Sequence, residues 1–79
     1  MIIKVLGPGC ANCVTLERVT REALSDLGIN ATVEKVQDFP TIVGYGVLST
    51  PALVVDEQVV VSGRVPRRAE VAALLAAAP

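Results

Sequence analysis

The chain has no histidine and no tryptophan, and its aromatics are a single phenylalanine, Phe39, and a single tyrosine, Tyr45. Without imidazole there is no cysteine–histidine nucleophile pair, no serine–histidine triad and no histidine metal ligand. Side-chain chemistry is left to cysteine, carboxylate, lysine and arginine. The shortage of aromatics removes the stacking platform that single-stranded nucleic acid needs. A formal net charge of −1 supplies no basic field for phosphates, so no nucleic-acid partner is expected. Long apolar runs are missing too. Ile2-Ile3-Lys4-Val5-Leu6 carries an internal charge and stops at Gly7-Pro8-Gly9, too short for the apolar core of a signal peptide. The alanine-rich end falls far short of the roughly 20 residues that span a bilayer. A cytoplasmic protein with no membrane partner is expected. In that compartment a close cysteine pair is more often catalytic or metal-binding than a structural staple.

What the chain does have is apolar aliphatic residue, 52% of 79 positions being hydrophobic. That suits one ordered domain over residues 1–79 with one modest core, burying about 60–65% of its unfolded surface. Ile2–Leu6 reads as a buried strand ended by a Gly-Pro-Gly turn. From Ala11 to Leu27 the spacing becomes helical. Leu16, Val19, Thr20, Ala23, Leu24 and Leu27 fall on one side, and Glu17, Arg18, Arg21, Glu22, Ser25 and Asp26 on the other. Gly28 suits the left-handed residue that follows a helix end. Ala31–Val36 reads as a second strand. Asp38 caps a short helix starting near Pro40 and limited by Gly44 and Gly46. Ala52–Val55 and Gln58–Val61 form a hairpin about Asp56-Glu57, and Ala69–Ala78 favours helix, with Val71, Leu74, Leu75 and Ala78 along one stripe. The order β-α-β-α-β-β-α predicts an α/β domain, a mixed sheet with helices packed on it. The first crossover makes a parallel pair and the hairpin an antiparallel one.

The chemical signal is Gly9-Cys10-Ala11-Asn12-Cys13, placed where the first strand gives way to the long helix. A two-residue spacer brings both sulfurs within reach around one helical turn. The helix start offers unpaired N–H groups and the positive end of the dipole, which favour thiolate and lower the pKa of Cys10. On the wheel Cys13 joins the apolar stripe while Cys10 lies at the exposed start. Cys10 is therefore expected to attack and Cys13 to resolve the mixed disulfide. A structural disulfide closing so short a loop removes little chain entropy. A tetrahedral zinc site needs four ligands, and this chain offers two cysteines and no histidine, so no resident metal is expected. Two unrelated buried cysteines are a further reading, since free cysteine packs as a small apolar residue. The main rival is a Cu(I) or other soft-metal carrier, whose domains place a similar pair between a first strand and a first helix. Against it, Pro8 stands where those domains carry methionine, and this chain ends on a predicted helix, not a strand.

Strand, Gly7-Pro8-Gly9-Cys10-Ala11-Asn12-Cys13, helix, then Ser49-Thr50-Pro51-Ala52-Leu53-Val54-Val55-Asp56, resembles the thioredoxin superfamily, and within it the small, glutaredoxin-sized redox-active disulfide proteins. The resemblance runs over nearly the whole chain, including Val61–Pro66 before the last helix. It implies a thioredoxin-like fold, a central four-stranded mixed sheet with helices on both faces. It implies a thiol–disulfide oxidoreductase with no cofactor beyond the Cys10–Cys13 disulfide. It also implies a cis bond between Thr50 and Pro51, with Pro51 facing the sulfurs and Thr50 backbone groups left to pair with substrate. The partners it implies are a disulfide-containing protein or small thiol and a disulfide reductase as electron donor. Ser62-Gly63-Arg64-Val65 replaces the pattern by which glutaredoxins hold glutathione. Val14, with Tyr45 and Pro8, is a candidate substrate-contact patch, and Arg64, Arg67 and Arg68 form a basic face that is expected to be simply solvated.

Overall fold

The computed structural model describes residues 1–77. Its elements are β1 (Ile2–Leu6), α1 (Ala11–Leu27), β2 (Thr32–Val36), α2 (Phe39–Gly44), β3 (Ala52–Val55), β4 (Gln58–Ser62) and α3 (Arg68–Ala77). The expected last position of the final helix stripe, Ala78, lies outside the described residues. One four-stranded sheet has the order β2-β1-β3-β4. The β1–β2 pair is parallel, with Val5 opposite Lys35. The β1–β3 and β3–β4 pairs are antiparallel, with a bulge beside Leu53 and Val54 in the second. β1 and β3 take the centre because both of their faces are apolar enough to bury. Every residue of β3 is buried, whereas the outer strand β2 is largely exposed.

Strand alternation splits the apolar residues between two layers. Ile3, Val5, Leu53, Val55 and Val61 meet Leu16, Val19, Ala23 and Leu24 of α1 and Val71 and Leu75 of α3. Leu6, Ala52 and Val54 point the other way, to Ile42 of α2 and to Val47. The helices thus cover both faces, as the resemblance implies. Truncating a fully buried member such as Leu16 removes packing of the kind that costs about 2–5 kcal/mol. No helix among the described residues is long and apolar enough to cross a membrane.

Helix ends follow local chemistry. Gly28 takes φ 66°, and its N–H bonds to the carbonyls of Leu24 and Ser25, the usual left-handed closure. That closure corrects one position of the expected stripe. Leu27, the last helical residue, is exposed, while the Ile29 N–H bonds to the Leu24 carbonyl and Ile29 packs against the core. Asp38 caps α2, its carboxylate accepting from the Thr41 N–H at 3.1 Å and from Thr41 Oγ1 at 2.5 Å.

The β3–β4 turn lacks glycine, yet Asp56 (φ 47°) and Glu57 (φ 70°) are both left-handed, which β-carbons disfavour by roughly 1–2 kcal/mol each. Contacts with the rest of the fold offset that cost. The Asp56 N–H donates to the Ile2 carbonyl at 2.9 Å, and its carboxylate accepts from the Ile2 N–H at 2.8 Å. Glu57 accepts from Lys4 Nζ at 2.8 Å and from Tyr45 Oη at 3.0 Å. The expected basic face is exposed at Arg64, Arg67 and Arg68, and two of its members also form ion pairs. Arg68 forms a two-pronged pair with Asp26 at 2.6 and 2.5 Å, joining α3 to α1, and Arg64 pairs with Glu70. Both arginines are spent on partners within the fold.

These pairs give stability a definite acid limb. Arg68 holds the Asp26 carboxyl below its ordinary range, Thr41 does so for Asp38, Lys4 and Tyr45 for Glu57, and Arg64 for Glu70. Each carboxylate has a lower pKa folded than unfolded. Its contribution is present above the unfolded value, 3.8 for aspartate and 4.5 for glutamate, and is lost as pH falls through the folded one. The melting temperature should be nearly flat from about pH 8 to 5 and fall below about pH 4.5. Asp26→Asn should lower the plateau and shallow the fall, as scanning calorimetry across that range would register.

Candidate functional site

The turn Gly7-Pro8-Gly9 lifts the chain from the end of β1 to the start of α1, and Gly9 makes the bend at φ 87°, a conformation that side chains disfavour. Cys10 follows as the N-cap of α1, with φ −67° and ψ 167°. Its Sγ accepts the backbone N–H of Cys13 at 3.2 Å. A cysteine thus fills the role that serine or aspartate usually plays, directing its sulfur at an unpaired helix donor. Cys10 and Cys13 are joined by a disulfide with Cα atoms 5.1 Å apart. Cys10 is exposed, whereas Cys13 is 5% exposed and leads the buried stripe that continues through Leu16, Val19 and Thr20.

The second predicted site segment lies close by. The Thr50–Pro51 bond is cis, Pro51 is buried and Thr50 partly so. The Pro51 carbonyl accepts the Gly63 N–H at 2.9 Å, which ties this segment to the end of β4. Gly7 borders both Thr50 and Cys13: a β-carbon built there would overlap Cys13 Sγ and lie 3.7 Å from Thr50 Cβ. The absence of a side chain at Gly7 therefore lets Cys13 and Thr50 approach the same stretch of backbone.

A cleft of about 240 Å³ opens on another side of the pair, lined among others by Gly7, Gly9, Cys13, Glu17, Lys35 and Gln37. Glu17 is the residue that sequence reasoning misplaced. The wheel puts it on the solvated face, yet its side chain is 14% exposed, held by Arg21 at 3.0 Å and by Lys35 of β2 at 3.2 Å. Burial alone would raise its pKa, but the bonds to Arg21 and Lys35 outweigh that and hold it below the ordinary glutamate range. The only signal in the sequence was its spacing, four residues after Cys13 and so on the same flank of the helix. Of the expected contact patch, Val14 lines the same cleft, 58% exposed. Tyr45 does not join it, because its hydroxyl is engaged by Lys4 and Glu57 at the far turn. Among the described residues no three His, Cys, Asp or Glu side chains gather to hold a metal ion.

A disulfide closed across the first turn of a helix, on a four-stranded mixed sheet with helices on both faces, defines a thiol–disulfide redox protein. A model described as the thioredoxin domain matches residues 1–76. A thioredoxin of Methanothermobacter thermautotrophicus is 40% identical over 75 residues, covering 95% of this chain and 97% of the relative. A thioredoxin of Methanocaldococcus jannaschii is 31% identical over 71 residues, covering 90% of this chain and 81% of the relative. The chain belongs to the thioredoxin family and is a thiol–disulfide oxidoreductase.

Glu17 lines the same cleft as Cys13, so its charge is expected to bear on the thiol once the disulfide is reduced. Glu17→Gln leaves the cations of Arg21 and Lys35 uncompensated in the cleft that Cys13 lines. The Cys13 thiol should then ionise more readily, its pKa falling by up to about one unit. Thiolate absorbance against pH in a Cys10→Ser background measures this; an unchanged or raised value would disconnect the ion pair from the sulfur.

Proposed function

We propose that the chain acts as a single redox domain in which Cys10 is the nucleophile and Cys13 the resolving thiol. The observation that carries this is the asymmetry of the pair: an exposed N-cap sulfur accepting a helix N–H, against a sulfur buried in the helix stripe. In the reducing direction the Cys10 thiolate attacks a substrate disulfide. One substrate sulfur leaves as thiolate, and Cys10 is held in a mixed disulfide. Cys13, having lost its proton, then attacks Cys10 Sγ, releasing the second substrate thiol and closing the Cys10–Cys13 disulfide. The helix donor that stabilises the Cys10 thiolate acts in the first step; in the second the leaving group is the substrate thiolate, which takes up a proton as it departs.

Thr50 and Pro51 serve as the substrate-binding segment, supported by the closeness of both Thr50 and Cys13 to the Cβ position of Gly7. Substrates are disulfide-containing proteins or small thiols, and a disulfide reductase restores the dithiol. The disulfide is itself the redox group, with no further cofactor, and the reaction takes place in the cytoplasm. The thioredoxin names of both relatives support this reading of partners.

Trapping tests the roles. Cys13→Ser should hold target proteins as stable mixed disulfides through Cys10, visible on non-reducing gels of lysate incubations, and Cys10→Ser should not. Equal trapping by both variants would overturn the assignment. Tight stoichiometric Cu(I) binding without disulfide reductase activity would instead favour a soft-metal carrier. The helix donor leads to a second expectation: Cys10 should titrate below the ordinary thiol value of about 8.5. Thiolate absorbance in Cys13→Ser checks it, and a normal or raised value would remove the basis for Cys10 as nucleophile.

A further inference from the structure

Gly7 is buried at the end of β1, and its N–H is bonded to the Val36 carbonyl at 2.9 Å, which pins its backbone to β2. Gly9, Gly28, Gly46 and Gly63 have positive φ; Gly7 does not. Backbone conformation therefore gives no reason for glycine at this position. Space does. A β-carbon at residue 7 would overlap Cys13 Sγ, approach Cys13 Cβ to 3.4 Å and meet Thr50 Cβ at 3.7 Å. The sulfur rests directly against main chain.

We infer that Gly7 is a positioning residue that sets the redox poise of the cysteine pair by leaving room for Cys13 Sγ in the disulfide form. Two states of the pair use that room differently. In the disulfide, Cys13 Sγ is bonded to Cys10 Sγ and cannot turn away from residue 7. In the dithiol it is free of that bond and can swing to the other rotamer that a helix allows. A methyl group at residue 7 therefore crowds the oxidised protein more than the reduced one, because a close-packed interior transmits such overlap instead of absorbing it. Glycine keeps the disulfide well seated and the protein a stronger reductant; alanine shifts the balance toward the dithiol.

The equilibrium to measure is protein disulfide plus two glutathione thiols giving protein dithiol plus glutathione disulfide. Two electrons and two protons pass to the protein sulfurs as the glutathione sulfurs join. Gly7→Ala should move this constant at least tenfold toward the dithiol, about 30 mV in potential, as alkylation and mass spectrometry across a series of glutathione buffers would record. Gly44→Ala, where nothing lies within 4 Å of the added carbon, should leave it unchanged. A general loss of stability would not move the potential unless it differed between the two redox states.

A second measurement holds even if Gly7→Ala folds poorly. In a Cys13→Ala background the sulfur is absent, so adding Gly7→Ala should cost markedly less in urea midpoint than it costs the oxidised parent. An unchanged glutathione equilibrium in Gly7→Ala would overturn the inference. So would an equal loss of midpoint with and without the Cys13 sulfur.

Discussion

Cys13 occupies the first position of the apolar stripe with which α1 packs on β1 and β3, ahead of Leu16, Val19 and Ala23. Burying Leu16 and Ala23 completely fixes the rotation of the helix about its axis, and that rotation carries Cys13 inward and leaves Cys10 at the rim. The pair is unequal because one helix has to satisfy a core at one end and a solvent boundary at the other. The unequal exposure of the two sulfurs is thus a by-product of amphipathic packing.

The same packing brings main chain up against the Cys13 sulfur at Gly7. β1 ends against β2 through the Gly7–Val36 bond, and the cis Thr50–Pro51 segment is tied to β4 through Gly63. Both constraints come from elements distant in sequence, and they meet at Gly7. On the other side of Cys13 the Glu17–Lys35 pair links α1 to β2 across the cleft. The sulfur therefore has main chain at Gly7 on one hand and a charged pair lining its cleft on the other.

At the far end of the sheet the fold spends polar groups to hold an unfavourable turn. Asp56 and Glu57 carry left-handed backbone without glycine, and each is anchored by β1, through Ile2 and Lys4. Tyr45 joins that cluster through its hydroxyl. Nothing in the local sequence Val55-Asp56-Glu57-Gln58 demands those partners, since the preferred residues for such a turn are asparagine and glycine. The hairpin was legible from the two valine-rich runs on either side; its geometry was not.

The secondary-structure elements and the cysteine chemistry were legible in the chain before folding. Alternation, capping and breakers are local signals, so Ile2–Leu6, Ala11–Leu27 and Ala52–Val55 end where Gly7, Gly28 and the Thr50-Pro51 and Asp56-Glu57 breaks require. The cysteine pair was visible for the same reason, because its two-residue spacing and helix start are local too. The tertiary structure settles how the exposed-looking polar residues are engaged. Glu17 is drawn under cover by Lys35, Tyr45 is claimed by Lys4 and Glu57, and Arg68 is bound to Asp26. It also gave Gly7, which reads as one more turn residue, its place against Cys13 Sγ. Such contacts join residues up to about 50 positions apart, and a helical wheel or a strand pattern holds no information about a neighbour that the chain reaches only after folding.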